Sequence, residues 1–240
     1  MSVHRAVVPL VALASGIALL VVDPRAGEPQ IPTSYAGASA LAATAGLLAG
    51  IGLLAAGSAL WLARGRDRSA VLLVLAGVAW FAPDWVGWDD GPSIVRSLGA
   101  VVAPFLPALL LDLVATVGGG RVARMCSHAV YVATAVVSVG RALFRDPFLD
   151  PHCWSNCTDN AFLVDANQRV AHALDAALPR VVVAAGLLVI AFVAWRALVA
   201  SPAARRAGLP LLGAVAIAGA AQGADGIALI IDPAERAGSS

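Results

Sequence analysis

Residues 98–117 read LGAVVAPFLPALLLDLVATV, twenty residues carrying a single charge, Asp112. A helix needs about 20 apolar residues to cross a hydrocarbon core about 30 Å thick. This stretch therefore fits one membrane span. Two prolines, Pro104 and Pro107, lie near its middle and are able to break the helix, because proline has no N–H for the ladder.

Outward from this stretch, six more apolar runs of similar length follow the same rule, at 6–22, 38–62, 70–86, 125–143, 181–199 and 209–231. With 98–117 they predict an all-α integral membrane protein, a polytopic bundle of about seven transmembrane helices forming a single transmembrane domain over 1–240. The fifth run is the weakest, since His128 and Arg141 fall inside it. The runs are continuous, without the two-residue alternation of a membrane β-barrel. Composition agrees: 60% of residues are hydrophobic and 13% charged, too apolar for a soluble domain of this size. The net charge of +1 and the lack of a basic stripe with interleaved aromatics give no argument for nucleic acid as a partner.

Short loops orient the bundle. One alternate set is basic, with Arg5, then Arg64, Arg66 and Arg68, then Arg121 and Arg124, then Arg196, Arg205 and Arg206. The other set is acidic, with Asp23 and Glu28, then Asp84, Asp89 and Asp90, then Asp146, Asp150, Asp159, Asp165 and Asp175, and finally Asp232 and Glu235. Basic loops stay in the cytoplasm, so the N-terminus is expected inside, the C-terminus outside, and the chain in the plasma membrane. A competing reading makes 1–22 a cleaved signal peptide, but no small-x-small cleavage site follows it.

The layout leaves no space for a soluble catalytic domain between spans. The glycine run Gly118-Gly119-Gly120 lacks the strand and the glycine–lysine spacing of a phosphate cradle and reads as a turn. No acid–base–nucleophile constellation is visible, and no cofactor is implied.

One loop is sizeable, 144–180, and is expected outside. Its first part reads FRDPFLDPHCWSNCTDNAFL over 144–163. Cys153 and Cys157 face an oxidising compartment in this topology, where disulfides persist; closing so short a loop contributes about 2 kcal/mol. The disulfide is the leading reading. Two inert thiols, or a metal or redox site including His152, are the alternatives, and a fourth metal ligand is missing. Cys126 reads as a small buried residue. Beyond the cysteines, Phe162, Leu163, Val170, Leu174 and Leu178 recur at helical spacing, predicting an amphipathic helix at the outer interface before the sixth span.

Two carboxylates fall inside spans, Asp112 near the inner end of the fourth and Asp225 in the outer third of the seventh. An intramembrane carboxylate is a functional candidate by default, and the competing reading is a satisfied polar contact between helices. Arg124 and His128 are the expected partners of Asp112, while Gln222 shares a helix face with Asp225. Trp80, Phe81, Trp85 and Trp88 gather at the outer end of the third span and fit an interfacial aromatic belt. Gly46, Gly50 and Gly57 give the second helix a small-residue packing face.

The run Arg141-Ala142-Leu143-Phe144-Arg145-Asp146-Pro147-Phe148, followed by Cys153-Trp154, Cys157, Asn160 and Phe162, resembles the N-terminal membrane region of actinobacterial two-component sensor histidine kinases. The resemblance adds Trp154 and Asn160 to Asp112 and Asp225 as candidate sensing or packing residues. It implies a homodimer and a cytoplasmic kinase or response regulator as partners. The chain departs from that family in having no phosphoacceptor motif and no ATP-binding lobe, since His4, His128, His152 and His172 fall in the N-terminal tail, in a span or outside. What is expected is therefore a non-catalytic sensory input module, either a sensor region cut short or a free-standing relative. The rival reading is a small multi-helix transporter or channel.

Overall fold

The computed structural model describes residues 40–65, 67–88, 91–118, 120–149 and 159–231, apart from the side chains at 40, 42, 203–211 and 225. The expected first span at 6–22 and the segment holding Cys153, Trp154 and Cys157 lie outside the described residues.

Every regular element among the described residues is helical. The helices are α1 (Ala40–Arg64), α2 (Arg68–Val86), α3 (Ser93–Val102), α4 (Leu106–Gly118), α5 (Arg121–Phe144), α6 (Gln168–Val199) and α7 (Pro202–Ile231). A 3₁₀ turn, Ala103–Phe105, joins α3 to α4, so these two make one interrupted segment. Counted that way, six helical segments among the described residues are long and apolar enough to cross a membrane.

Local sequence sets the boundaries. Between α1 and α2 the chain reverses at Gly65, whose φ of 75° belongs to the left-handed region that glycine enters without penalty. Asp67 then caps α2, its carboxylate accepting from the Ser69 N–H at 2.8 Å. Asn167 does the same for α6, accepting from the Val170 N–H at 3.2 Å.

Two boundaries differ from the sequence reading. The fourth segment starts at Ser93 and its helix is interrupted at Ala103–Phe105, where Pro104 cannot donate to the carbonyl of Ala100. The expected interfacial helix does not exist separately. Residues 168–199 form one helix of 32 residues, which passes straight through Pro179, and Phe162 and Leu163 lie in the turn before it. The amphipathic spacing of Val170, Leu174 and Leu178 marks the first turns of this longer helix.

The interrupted segment α3–α4 is the hub. Every residue from 106 to 115 is buried, an unbroken run that no other helix among the described residues matches. Leu106, Leu110, Leu111 and Leu113 are almost wholly enclosed, and α4 packs against α2, α5, α6 and α7. Helices facing lipid gain little from hydrophobic burial against one another, so close packing through small residues matters most. Both flanking helix pairs use it. In the α1–α2 pair, a methyl group added at Gly57 would lie 2.9 Å from the Ala70 carbonyl, and Phe81 lies against Gly50. In the α6–α7 pair, one added at Gly186 would lie 2.7 Å from the Gly219 carbonyl, and one at Gly226 3.0 Å from that of Pro179.

Candidate functional sites at the two ends of the bundle

At the basic end of the bundle, Asp112 on α4 is 5% exposed. Its partner is Arg68, the first residue of α2. One guanidinium nitrogen donates to both carboxylate oxygens, at 3.0 and 2.9 Å. The Arg68 side chain is 56% exposed, so its stem leads the charge back towards the surface while its head reaches the buried carboxylate. Tyr131 of α5 lies within electrostatic reach of both groups and packs its ring against Phe105, centroids 6.4 Å apart.

This corrects the expected partners. Arg124 and His128 are both exposed; they project from the outward face of α5, whereas Ala123, Ser127 and Val130 form its inward face. In the sequence Arg68 stands out only as one of the basic loop residues that orient the bundle. The clue available was its place at the start of a helix beginning at the same end of the bundle as Asp112.

At the opposite end, the connection between α5 and α6 is built around Asn160. Its amide Nδ2 donates to the carbonyls of Ala142 and Arg145, each at 2.8 Å, and its Oδ1 accepts from the Phe162 N–H at 3.1 Å. The N–H groups of Val164 and Asp165 donate to the Leu143 carbonyl, and that of Asn167 to Phe144. The carbonyls that a helix end leaves without an internal partner are thus met by this loop, from Ala142 through Arg145. A further bond runs from the Ala161 N–H to Ser97 Oγ, 3.0 Å, which ties the loop to α3.

An ion-pair group completes this end. Arg141 Nε lies 2.6 Å from Asp175 Oδ1, and Arg145 Nε 3.7 Å from Asp175 Oδ2. All three side chains are about four-fifths buried. Arg141 marked the fifth span as weak in the sequence; here it closes the last turn of α5 and clamps it to α6.

The aromatic group divides. Trp80 donates its indole N–H to the Gly46 carbonyl at 2.9 Å, so it pins α2 to α1 as well as standing near the helix end. Trp85 keeps a buried indole N–H without an acceptor among the described residues. Of the three glycines proposed for the packing face of α1, Gly50 and Gly57 are covered by α2, while a methyl at Gly46 would meet nothing within 4 Å. Asp225 sits on α7, with its side chain outside the described set. Among the described residues no group of three or more His, Cys, Asp or Glu side chains is placed to hold a metal ion.

The chain matches no protein-family model, no curated protein and no solved structure.

Proposed function

We propose that this protein is a membrane-embedded sensory module of the two-component type, with the α5–α6 connection outside the cell and the Arg68–Asp112 end at the cytoplasm. The observation that carries this reading is α6. It is one continuous helix of 32 residues, with Pro179 inside it, about 48 Å long. One end is clamped into the loop by Arg141, Arg145 and Asp175, and the other reaches the level of Arg196. A displacement of the loop therefore has a continuous helix along which to reach the opposite face, with Pro179 as the point about which it can bend. The basic character of the connections at that face supports the orientation, and the resemblance of 141–162 to sensor kinase membrane regions supports the class.

The test reads motion across the bundle. Nitroxide labels carried by non-canonical residues at Val122 and Leu198, both exposed and both at the basic end, report their separation by pulsed electron resonance in nanodiscs. Releasing the clamp with Asp175→Asn should shift that distance distribution. An unchanged distribution, with the fold intact by circular dichroism, would sink the coupling.

A second reading rests on a different observation. The 3₁₀ turn at Ala103–Phe105 falls halfway along the segment Ser93–Val117, and helices broken at mid-membrane are a mark of transporters. A transporter would show substrate-dependent accessibility of Phe105 from alternate sides, whereas a sensor would not.

A further inference from the structure

Helix α5 is the least apolar of the candidate spans, and its hydroxyl-bearing side chains share one face. Ser127, Tyr131, Thr134 and Ser138 fall within an arc of about 60° on a helix of 3.6 residues per turn. Three of them are fully enclosed, Ser127 at 1% exposure and Thr134 and Ser138 at 2% each. From Ser127 to Ser138 the arc rises about 16 Å. It begins near the Arg68–Asp112 pair and points at Arg141, the next residue on the same face, in the Asp175 clamp.

Ser138 shows what this face is for. A serine within a helix ordinarily satisfies its hydroxyl by donating back to the carbonyl one turn earlier. Thr116 does this on α4, donating to the Asp112 carbonyl at 2.8 Å. Ser138 does not; its Oγ is buried and has no hydrogen-bond partner among the described residues. A buried hydroxyl left unmatched costs about 1–3 kcal/mol. Buried water is the common remedy where several polar groups converge.

We propose that the inward face of α5 is a water-binding seam, in which ordered water bonded to Ser138 continues along Thr134 and Tyr131 towards Asp112. The ligand class is water. The seam gives the bundle interior a polar track between its two charged ends, without any charged side chain of its own. It does not depend on the sensory reading, since the loop-release experiment above could fail without touching it.

The experiment is radiolytic hydroxyl-radical footprinting of the whole protein in nanodiscs, read by mass spectrometry. Water bound inside a protein is converted to radicals in place and marks its neighbours even where bulk solvent is excluded. Val137, next to Ser138, is 7% exposed; Leu54 and Val74, in the separate cluster between α1 and α2, are 4% exposed each and serve as controls. Labelling of Val137 well above both controls is expected, with loss of that excess in Ser138→Ala. Labelling of Val137 at the control level in the native protein would overturn the seam. So would an excess that Ser138→Ala leaves intact. The native comparison stands even if the variant fails to fold.

Discussion

Arg68 and Asp112 meet through one guanidinium nitrogen shared by two carboxylate oxygens, joining the first residue of α2 to the middle of α4. The two ends of this bond are in unlike surroundings: the carboxylate is buried and the arginine side chain is more than half exposed. Removing either partner is therefore not equivalent. Arg68→Gln leaves a buried carboxylate without its counter-charge, whereas Asp112→Asn leaves an arginine that can turn to solvent. Breaking a fully buried pair from one side costs about 3–5 kcal/mol, and exposure of Arg68 brings the expectation for Arg68→Gln down to about 2 kcal/mol. Asp112→Asn should cost less, and the double variant should recover part of the Arg68→Gln loss. Equilibrium unfolding in mixed micelles measures all three, and equal losses for the two single variants would contradict the asymmetry.

Asn160 spends both halves of its side-chain amide on the backbone, so its variants separate the two halves. Asn160→Asp retains the acceptor for the Phe162 N–H and loses the donor to Ala142 and Arg145. Asn160→Ala loses both. Asn160 makes three such bonds, each worth about 1 kcal/mol net, which puts Asn160→Ala about 3 kcal/mol below the native protein. Asn160→Asp keeps one bond but sets a carboxylate oxygen against the Ala142 and Arg145 carbonyls, so it should lose at least as much. Hydrogen exchange reads this locally. The amides of Phe162, Val164 and Asn167 should exchange faster in Asn160→Ala, while those of α1 and α2 stay unchanged. Uniform acceleration across the bundle would mean that the loop is not a separate cap.

The clamp at Asp175 predicts a ranking. Arg141 stands at 2.6 Å and Arg145 at 3.7 Å from the two carboxylate oxygens, so Arg141→Gln should weaken the loop more than Arg145→Gln. Partly buried pairs lie above the exposed range of about 0–1 kcal/mol and resist screening by salt. Thermal unfolding at low and high ionic strength distinguishes this from a surface contact. A loss in Arg141→Gln that vanishes at high salt would show that the pair is open to solvent.

The helical architecture was legible in the sequence because its signal is coarse. A run of about twenty apolar residues has few alternatives, and the segments around 40–64, 68–86, 121–144 and 202–231 stand close to the expected runs. Joints were harder to read. Periodicity cannot tell an interfacial helix from the first turns of a long one, which is why Val170–Leu178 was separated from the span it belongs to. Partners of buried charges were harder still. Asp112 stands out as the one charge within an apolar run, but its partner lies on another helix and is set by packing. Asn160 carried no local signal of a cap, since the carbonyls it meets lie fifteen and eighteen positions back. The glycines of α7 could have been found, because Gly219, Gly223 and Gly226 recur at the spacing already applied to α1.

Those α7 glycines give the sharpest contrast in packing. A methyl at Gly186 would lie 2.7 Å from the Gly219 carbonyl oxygen and 3.2 Å from the Gly223 Cα. Both obstacles are backbone, so no side chain can swing aside, and α6 and α7 must separate. Gly213 lies on the same helix as Gly219 and a methyl there meets nothing within 4 Å. Overpacking at a close contact costs about 1–3 kcal/mol, whereas alanine in place of glycine inside an open helix position gains about 0.8–1 kcal/mol from propensity. Gly186→Ala should therefore lower the unfolding midpoint while Gly213→Ala leaves it level or raises it. The two substitutions are chemically identical, so a difference in sign isolates the contact itself. If both variants shifted the midpoint alike, the close approach of α6 and α7 at Gly186 would have no energetic weight. The pair would then be held by its larger residues, Val183 and Val189.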